Sequence, residues 1–389
     1  MTDNLLTLDL SRVYLEIDAA VQQRAWQDSR GASTPASRWN SYLNQICIDT
    51  VLPWLEAEST PSRALTTPKP PLLPTIWELV TGSAVEVGPG RLILLPTESI
   101  DLETLEVPQE WVDIPTWVGD YYLTLQVNLD EGWLHVANFA THRQLKEKAE
   151  YSWQDRVYRQ DASDTISDLN VLWVAQALYP AEVKRVAVAA LPWLAKAEAS
   201  SLIQRLGQTH TTPIPRLAIP FERWGALLAH GGWRRQLAET RWGRPSQPSV
   251  LDWLSASIDR VSQQVGWQAV SYEAVAAARG HEGPQTQTAL SRQVLIAGGT
   301  YLLQISPSVD QGTHGWRFEL RNAVPAGQVP AGLTLRLLTE DLQPFENNEV
   351  TATEPIDSIF IDVELMPSEG IVWDTSPTAD QYDAEILRF

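Results

Sequence analysis

The spacing of apolar residues changes along this chain, and this change limits the possible folds more than any other feature. Short runs typical of strands lie between residues 84 and 138, helical spacing dominates from 163 to 266, and only strand-like runs follow residue 285. This order predicts an α+β fold. We expect an N-terminal antiparallel sheet with covering helices, a helical middle region and a C-terminal all-β sandwich.

The length of the chain predicts more than one hydrophobic core. At 389 residues it exceeds the size at which a single core usually stops growing. We place an α+β domain at residues 1–205, a helical connecting region at 206–281 and the sandwich at 282–389. Residues 59–74 contain five prolines and show no periodic pattern of apolar residues. This composition predicts an extended linker or a chain that crosses a surface.

The N-terminal region combines helix and hairpin signals. Thr34 followed by Pro35 predicts a helix start, and apolar spacing continues this helix to about Leu55. Two hairpins follow, with strands at 84–87 and 91–96 and at 121–127 and 133–138. Polar and apolar residues alternate in the strand at 121–127, and this pattern predicts a half-exposed antiparallel sheet.

Helix signals then continue into the middle of the chain. A helix that begins at Ser163 or Asp164 and ends at Pro180 should cover the sheet. Ser249 and Asp252 form a capping box for a helix that closes at Gly266. Short helices between them are predicted at 200–206, 221–229 and 233–239. The strand-like runs of the sandwich are 293–297, 300–305, 316–320, 333–338 and 359–365.

The sequence favours a soluble protein of the cytoplasm. The N-terminal residues lack the basic flank and apolar run of a signal peptide, and no stretch approaches the roughly 20 apolar residues that span a bilayer. Cys47 is the only cysteine, so no disulfide can form within the chain. Its place on an apolar helix predicts a buried, inert thiol.

Charge is distributed unevenly, although the formal net charge is −19. Lys and Arg against Asp and Glu number 12 and 25 in residues 1–180, 12 and 7 in residues 181–281, and 5 and 16 in residues 282–389. A basic middle between acidic ends bears on partners and on packing within the protein. The overall acidity makes nucleic-acid binding an unfavoured function.

No motif for a known chemistry stands out. The chain has no phosphate loop, no dinucleotide-binding glycine pattern and no nucleophile elbow, so we expect no cofactor and no catalytic residue. His135 and His142 lack the spacing of a zinc pair. The acidic run Asp161, Asp164 and Asp168 is more typical of a helix start than of a calcium site.

Arginine and tryptophan are interleaved in the segment from Arg216 to Arg244, which also holds Trp224. Such side chains form protein-interface hot spots or stack on bases. The alternative is that the tryptophans anchor a core and the arginines pair with the acidic flanks. The partner surface that we predict, with a protein as the partner, consists of Arg223, Trp233, Arg234, Arg235, Arg241 and Trp242.

Two other functions stay open. An enzyme could assemble its site from distant residues such as His135, His142 and Asp130. The basic middle could instead contact nucleic acid, with steep salt dependence.

Four runs of the sequence resemble a known family: VGDYYLTLQVNLDEGWLHVANFATHRQLKEK, DTISDLNVLWVAQAL, PRLAIPFERWGALL and PAGLTLRLLTEDLQPF. The resemblance, over roughly residues 110 to 389, is to the cyanobacterial proteins grouped as domain of unknown function 1822. It implies a cyanobacterial, cytoplasmic protein in a signalling or sigma-factor-linked setting. The lack of an apolar span separately predicts no membrane insertion. The family has no established activity, so the resemblance brings no catalytic residue.

Overall fold

The computed structural model describes residues 13–58, 64–67, 69–178, 182–244, 249–255, 266–274, 285–308 and 314–389. The described residues fall into two compact units. The first unit holds the described residues up to Leu194, together with Glu198–Ala229 and Leu237–Arg244. The second unit holds Ala195–Ala197, His230–Gln236 and the described residues from 249 to the C-terminus. The division at 205 and 281 stays a prediction.

The first unit contains two sheets and most of the helices. Its strands are β1 (Val13–Glu16), β2 (Ala64–Thr67), β3 (Ser83–Val87), β4 (Gly90–Thr97), β5 (Thr104–Pro108), β6 (Tyr121–Asn128), β7 (Trp133–Thr141), β8 (Glu150–Ser152) and β9 (Val157–Asp161). Its helices up to residue 178 are α1 (Ala19–Asp28), α2 (Pro35–Glu58), α3 (Leu73–Trp77), α4 (Gln109–Asp113), α5 (His142–Lys148) and α6 (Asn170–Leu178).

The main sheet has six strands in the order β1-β7-β6-β4-β3-β2. The two predicted hairpins are confirmed as β3–β4 and β6–β7, and Gly88 in the first turn has a φ of 57° that glycine adopts without strain. The sheet is not wholly antiparallel, because β4 and β6 pair in parallel. Parallel pairing is possible because β5 and α4 form a long crossover between the two strands.

The strand β6 is buried along nearly its whole length, so the prediction of a half-exposed sheet is wrong there. The strand lies in the middle of the sheet, and α2 packs against it and its neighbours. The polar side chains of Tyr122 and Thr124 are buried and hydrogen-bonded within the protein. The Tyr122 hydroxyl donates a hydrogen bond to the carbonyl of Trp111 (2.8 Å), and Thr124 donates one to Asn138 (2.8 Å).

Helix α2 begins where the sequence predicts, because the Thr34 hydroxyl accepts a hydrogen bond from the Ser37 amide at 3.1 Å. Cys47 on this helix is buried, and burial raises the pKa of its thiol. Part of the predicted linker is ordered structure: residues 64–67 form the edge strand β2, and Pro70–Leu72 form a 3-10 turn. Residues 59–63 and 68 lie outside the described residues.

A small sheet of order β5-β9-β8 accompanies the main one. Helix α6 follows it and begins at Asn170, later than the predicted start at Ser163 or Asp164. The earlier residues form a 3-10 turn instead, and Asp168 supplies the cap by accepting a hydrogen bond from the Asn170 amide at 2.9 Å.

The helical middle region is present. Its capping box at Ser249 is confirmed, with the Asp252 amide 3.1 Å from the Ser249 hydroxyl; the predicted continuation over residues 256–265 lies outside the described residues. No helix in the described part of the chain is long and apolar enough to cross a membrane. The helices are α7 (Lys196–Leu206), α8 (Phe221–Ala229), α9 (Gly231–Arg241) and α10 (Val250–Ser255).

The C-terminal region is a sandwich of two antiparallel sheets, as predicted. One sheet has the order β10-β11-β12-β13-β16 and the other β15-β14-β17-β18. The rings of Trp316 and Phe318 in the first sheet contact Phe389 beside the second, at centroid distances of 4.7 and 5.9 Å. The strands are β10 (Gln268–Ala274), β11 (Gln285–Ile296), β12 (Gly299–Pro307), β13 (Gly315–Asn322), β14 (Thr334–Thr339), β15 (Glu349–Thr351), β16 (Ser358–Glu364), β17 (Gly370–Ser376) and β18 (Leu387–Arg388).

Candidate interaction surface and buried arginine clusters

Arg216 and Trp224 from the middle of the sequence meet a buried carboxylate of α4. Glu110 is fully buried and accepts two hydrogen bonds from the Arg216 guanidinium, at 2.9 and 2.7 Å. The indole Nε1 of Trp224 donates a third hydrogen bond to Glu110 at 2.8 Å. A buried charge is tolerated only when it is paired and hydrogen-bonded, and both conditions are met here.

A second cluster of the same composition forms around Glu78, which follows α3. Glu78 accepts hydrogen bonds from Arg241 Nε at 3.0 Å and from Trp242 Nε1 at 2.8 Å. Arg241 also donates to the carbonyls of Leu206 (2.9 Å) and Thr212 (3.0 Å). Its positive charge therefore lies at the C-terminal end of α7, where backbone carbonyls favour a cation.

The second unit contains a third cluster, built within the sandwich. Glu385 accepts hydrogen bonds from the indoles of Trp267 (3.2 Å) and Trp373 (2.7 Å) and pairs with Arg292. All three clusters join one buried glutamate to an arginine and at least one indole N–H, so we call them the Glu–Arg–Trp clusters.

Two more residues of the predicted surface lie inside the second unit. Arg234 is 2% exposed and forms an ion pair with Asp383. Burial raises the pKa of Asp383, and the nearby guanidinium of Arg234 opposes this rise. Trp233 is 4% exposed and stacks on His230 with ring centroids 4.2 Å apart.

The predicted partner surface is therefore wrong at Trp233, Arg234 and Arg241, because buried side chains engaged within the chain cannot contact a partner. Trp242 and Arg235 are half-buried, and the Trp242 indole is bonded to Glu78. Among the six predicted residues only Arg223 is exposed; it lies 3.3 Å from Glu198. The alternative stated from sequence, arginines paired with acidic flanks, describes Arg234 and Arg241.

A different surface exposes large apolar side chains. Val171, Val174 and Leu178 are 43%, 50% and 67% exposed and follow one another at helical spacing on α6. We call these three residues the α6 apolar face. Leu172 on the same helix is buried and attaches it to the first unit. The ring of the neighbouring residue Trp173 lies 6.2 Å from that of Trp54 at the end of α2.

The first unit also contains a cleft of about 470 Å³, bounded by the end of β4, by β5 and by the loop between them. We call it the β5 cleft. Hydroxyl groups and carboxylates make up most of its polar lining, and Arg216 of the first Glu–Arg–Trp cluster reaches it. No histidine lies among the described residues that line it.

A family model described as a protein of unknown function, DUF1822, matches residues 15–388. The chain belongs to this family. The match includes the β1–α2 region, so it extends well beyond the residues from 110 onward on which the resemblance was based. No curated protein matches this DUF1822 chain, and no solved structure matches it. Its family description names no activity, ligand or partner.

In this DUF1822 protein, the two histidines considered for catalysis make packing and hydrogen-bond contacts within the fold. His142 is fully buried; its Nε2 lies 3.0 Å from the carbonyl oxygen of Val112, and its Nδ1 accepts a hydrogen bond from the Val186 amide at 3.1 Å. Burial lowers the pKa of this histidine. His135 stacks on Tyr14 at 4.3 Å. The described residues contain no group of three or more His, Cys, Asp or Glu that could hold a metal ion.

The burial of His230 in the second unit predicts that the protein loses stability in acid. Burial lowers the pKa of this histidine from 6.5 to about 4, and its Nδ1 accepts the Trp233 amide only when the ring is neutral. Below pH 6.5 the unfolded chain therefore binds a proton at this histidine, whereas the folded chain binds it only near pH 4. Stability is complete above that pH and decreases toward pH 4, by about 2 kcal/mol at pH 5 from this group.

The measurement is urea unfolding of the wild-type and His230→Gln proteins at several values between pH 7 and pH 5, followed by a signal from the second unit. Glutamine keeps a donor and an acceptor but does not titrate there. We expect the free energy of unfolding to decrease more steeply with acid in the wild type. Equal slopes for the two proteins would contradict the prediction.

Proposed function

We propose that this DUF1822 chain is a non-enzymatic protein-interaction module that docks its partner on the α6 apolar face. The observation that supports this most is the exposure of three large aliphatic side chains in one stripe of a helix. Contiguous apolar surface with a polar rim is typical of protein interaction sites. The solvent-facing side chains of Trp153 (75% exposed) and Trp193 (58% exposed) in the same unit add further support.

The charge around the α6 apolar face indicates the chemistry of the partner. Residues 161–178 contain three Asp and no Lys or Arg, and one of these, Asp164, pairs with Lys148 of α5 at 2.8 Å. Residues 49–58 at the end of α2 contain three acidic residues and no basic one. A second copy of this acidic surface would be repelled. We therefore propose an amphipathic segment whose apolar face is flanked by Lys or Arg, since opposite charges steer such a segment to the helix.

The two other candidate functions lack comparable support. Nucleic-acid contact would use the basic middle, but Arg234 and Arg241 are buried and paired with carboxylates. An enzyme would need reactive groups gathered in a cleft, whereas His142 holds backbone atoms by hydrogen bonds. The resemblance described above further supports a cytoplasmic, cyanobacterial protein in a regulatory setting.

A synthetic amphipathic peptide with leucines on one helical face and lysines beside them tests the docking surface. We expect the labelled peptide to bind the full chain and Val174→Asp or Leu178→Asp to weaken binding at least about tenfold, because each change removes roughly 1.5 kcal/mol or more of apolar contact. Fluorescence anisotropy gives the dissociation constants.

The matched control is Val324→Asp, which changes an exposed valine of the second unit (62% exposed) and should leave the affinity unchanged. A peptide with glutamates in place of the lysines should bind more weakly. The proposal fails if the lysine peptide does not bind the wild type, or if it binds Val174→Asp and Leu178→Asp as tightly as the wild type.

A further inference from the structure

The β5 cleft has the size and lining of a small-molecule site. Its volume of about 470 Å³ falls within the roughly 300–1,000 Å³ of ligand pockets. Its floor is formed where the parallel strands β4 and β6 lie side by side, at Leu95 and Thr124, which pair in register. Pro108 and Val157, which pair with each other in the small sheet, also line the cleft.

Hydroxyl groups surround the cleft on several sides. Thr124 is 5% exposed, and because its hydroxyl hydrogen is donated to Asn138, its oxygen can still accept a hydrogen bond from a ligand. Thr104 of β5 is exposed and also lines the cleft. Such groups can exchange hydrogen bonds with a ligand that carries several hydroxyls of its own. The hydroxyl-bearing residues of the lining are Thr81, Thr97, Ser99, Thr104 and Thr124.

The charged groups of the cleft leave an excess of negative charge. Arg216 is neutralised by Glu110, and Glu106 is neutralised by Arg159 at 2.7 Å. Asp101 and Glu103 are exposed at the cleft and have no ion pair with a described basic residue. A cleft lined by one sign of charge concentrates its field and attracts a ligand of the opposite charge.

The loop that carries these carboxylates is held in place without a ligand. The Ser99 hydroxyl donates to the carbonyl of Asp101 (2.7 Å), and Asp101 accepts a hydrogen bond from the Glu103 amide (2.9 Å). Gln126 of β6 donates to the Ser99 carbonyl at 3.0 Å and ties the loop to the main sheet. A wall that is already ordered loses little entropy on binding.

We propose that the β5 cleft binds a small polyhydroxy amine, whose cationic nitrogen contacts Asp101 and Glu103 and whose hydroxyls contact the threonines and Ser99. This site is separate from the α6 apolar face and does not depend on it.

Three sugars of the same ring size and different charge test this assignment: glucosamine, glucose and glucuronate. Isothermal titration of the full chain, at a pH that keeps the amine protonated, measures each affinity. We expect glucosamine to bind at millimolar concentration or below and glucuronate not to bind at all. Glucose should bind about tenfold more weakly than glucosamine, because it lacks two exposed charge contacts that are each worth roughly a factor of three.

Conservative variants locate the site. Glu103→Gln and Asp101→Asn remove one charge each and keep the side-chain size, and asparagine can still accept the Glu103 amide. Each should weaken glucosamine binding about threefold, because both carboxylates are exposed, whereas Asp130→Asn on the exposed β6–β7 turn should have no effect. No saturable binding of glucosamine, equal binding of the three sugars, or wild-type affinity in both cleft variants would overturn the proposal.

Discussion

Replacing Glu110 with alanine should destabilise the first unit by about 3 to 5 kcal/mol, the range measured when one partner of a buried ion pair is removed. The reason is that the Arg216 guanidinium, which is only 18% exposed, loses its counter-charge and the fully buried Trp224 indole loses its acceptor. Chemical denaturation followed by far-ultraviolet circular dichroism measures the change. Hydrogen exchange should show the loss of protection in α4 and α8.

A glutamate close by in sequence provides the control. Glu106 also pairs with an arginine, Arg159, but its side chain is 57% exposed. Because exposed ion pairs contribute little, Glu106→Ala should cost less than about 1 kcal/mol. If the two alanine variants lost similar stability, the buried Glu–Arg–Trp cluster would not have the structural role described here.

Arg241→Ala should have an effect of similar size, again about 3 to 5 kcal/mol. The variant leaves the buried carboxylate of Glu78 without its counter-charge and removes the donor to the carbonyls of Leu206 and Thr212. Unfolding in urea gives the stability, and hydrogen exchange should increase at the end of α7.

Arg223→Ala is the matched comparison, because sequence analysis placed both arginines on the same partner surface. Arg223 is 58% exposed and its nearest carboxylate is 3.3 Å away, so its loss should change stability by less than about 1 kcal/mol. Equal losses of stability in Arg241→Ala and Arg223→Ala would contradict the prediction that the buried arginine contributes more than the exposed one.

Local signals in the sequence predicted local structure well. The glycine turn between β3 and β4, the proline start of α2 and the capping box at Ser249 depend on residues within a few positions of one another. The strands β12, β13, β14 and β16 were predicted from runs of apolar residues, and each is present close to its expected bounds. In all these cases the residues that gave the prediction lie within one element or one turn.

Long-range arrangements were harder to predict. The edge strand β1 and the strands β15, β17 and β18 were missed; β1, β15 and β18 are only two to four residues long. The parallel pairing of β4 with β6 depends on a crossover rather than on either strand. The start of α6 was misplaced because Asp161, Asp164 and Asp168 all offer capping carboxylates.

The candidate sites were invisible for a related reason. Glu110 lies 106 positions from Arg216, and Glu78 lies 163 positions from Arg241, so no local spacing joins them. The one signal was the excess of acid at both ends and of base in the middle. It indicated that such pairs were possible, but it could not distinguish arginines that pair internally from arginines that face a partner.

A double-mutant cycle on Glu78 and Arg241 tests most directly whether arginines from the middle of the chain stabilise the interior of the protein by pairing with buried carboxylates. The free energy of unfolding is measured for Glu78→Ala, Arg241→Ala, the double variant and the wild type. The double variant should lose less stability than the sum of the single losses, by about 2 kcal/mol or more, since each change alone leaves a buried charge unpaired. Losses that add to within about 0.5 kcal/mol would contradict the account.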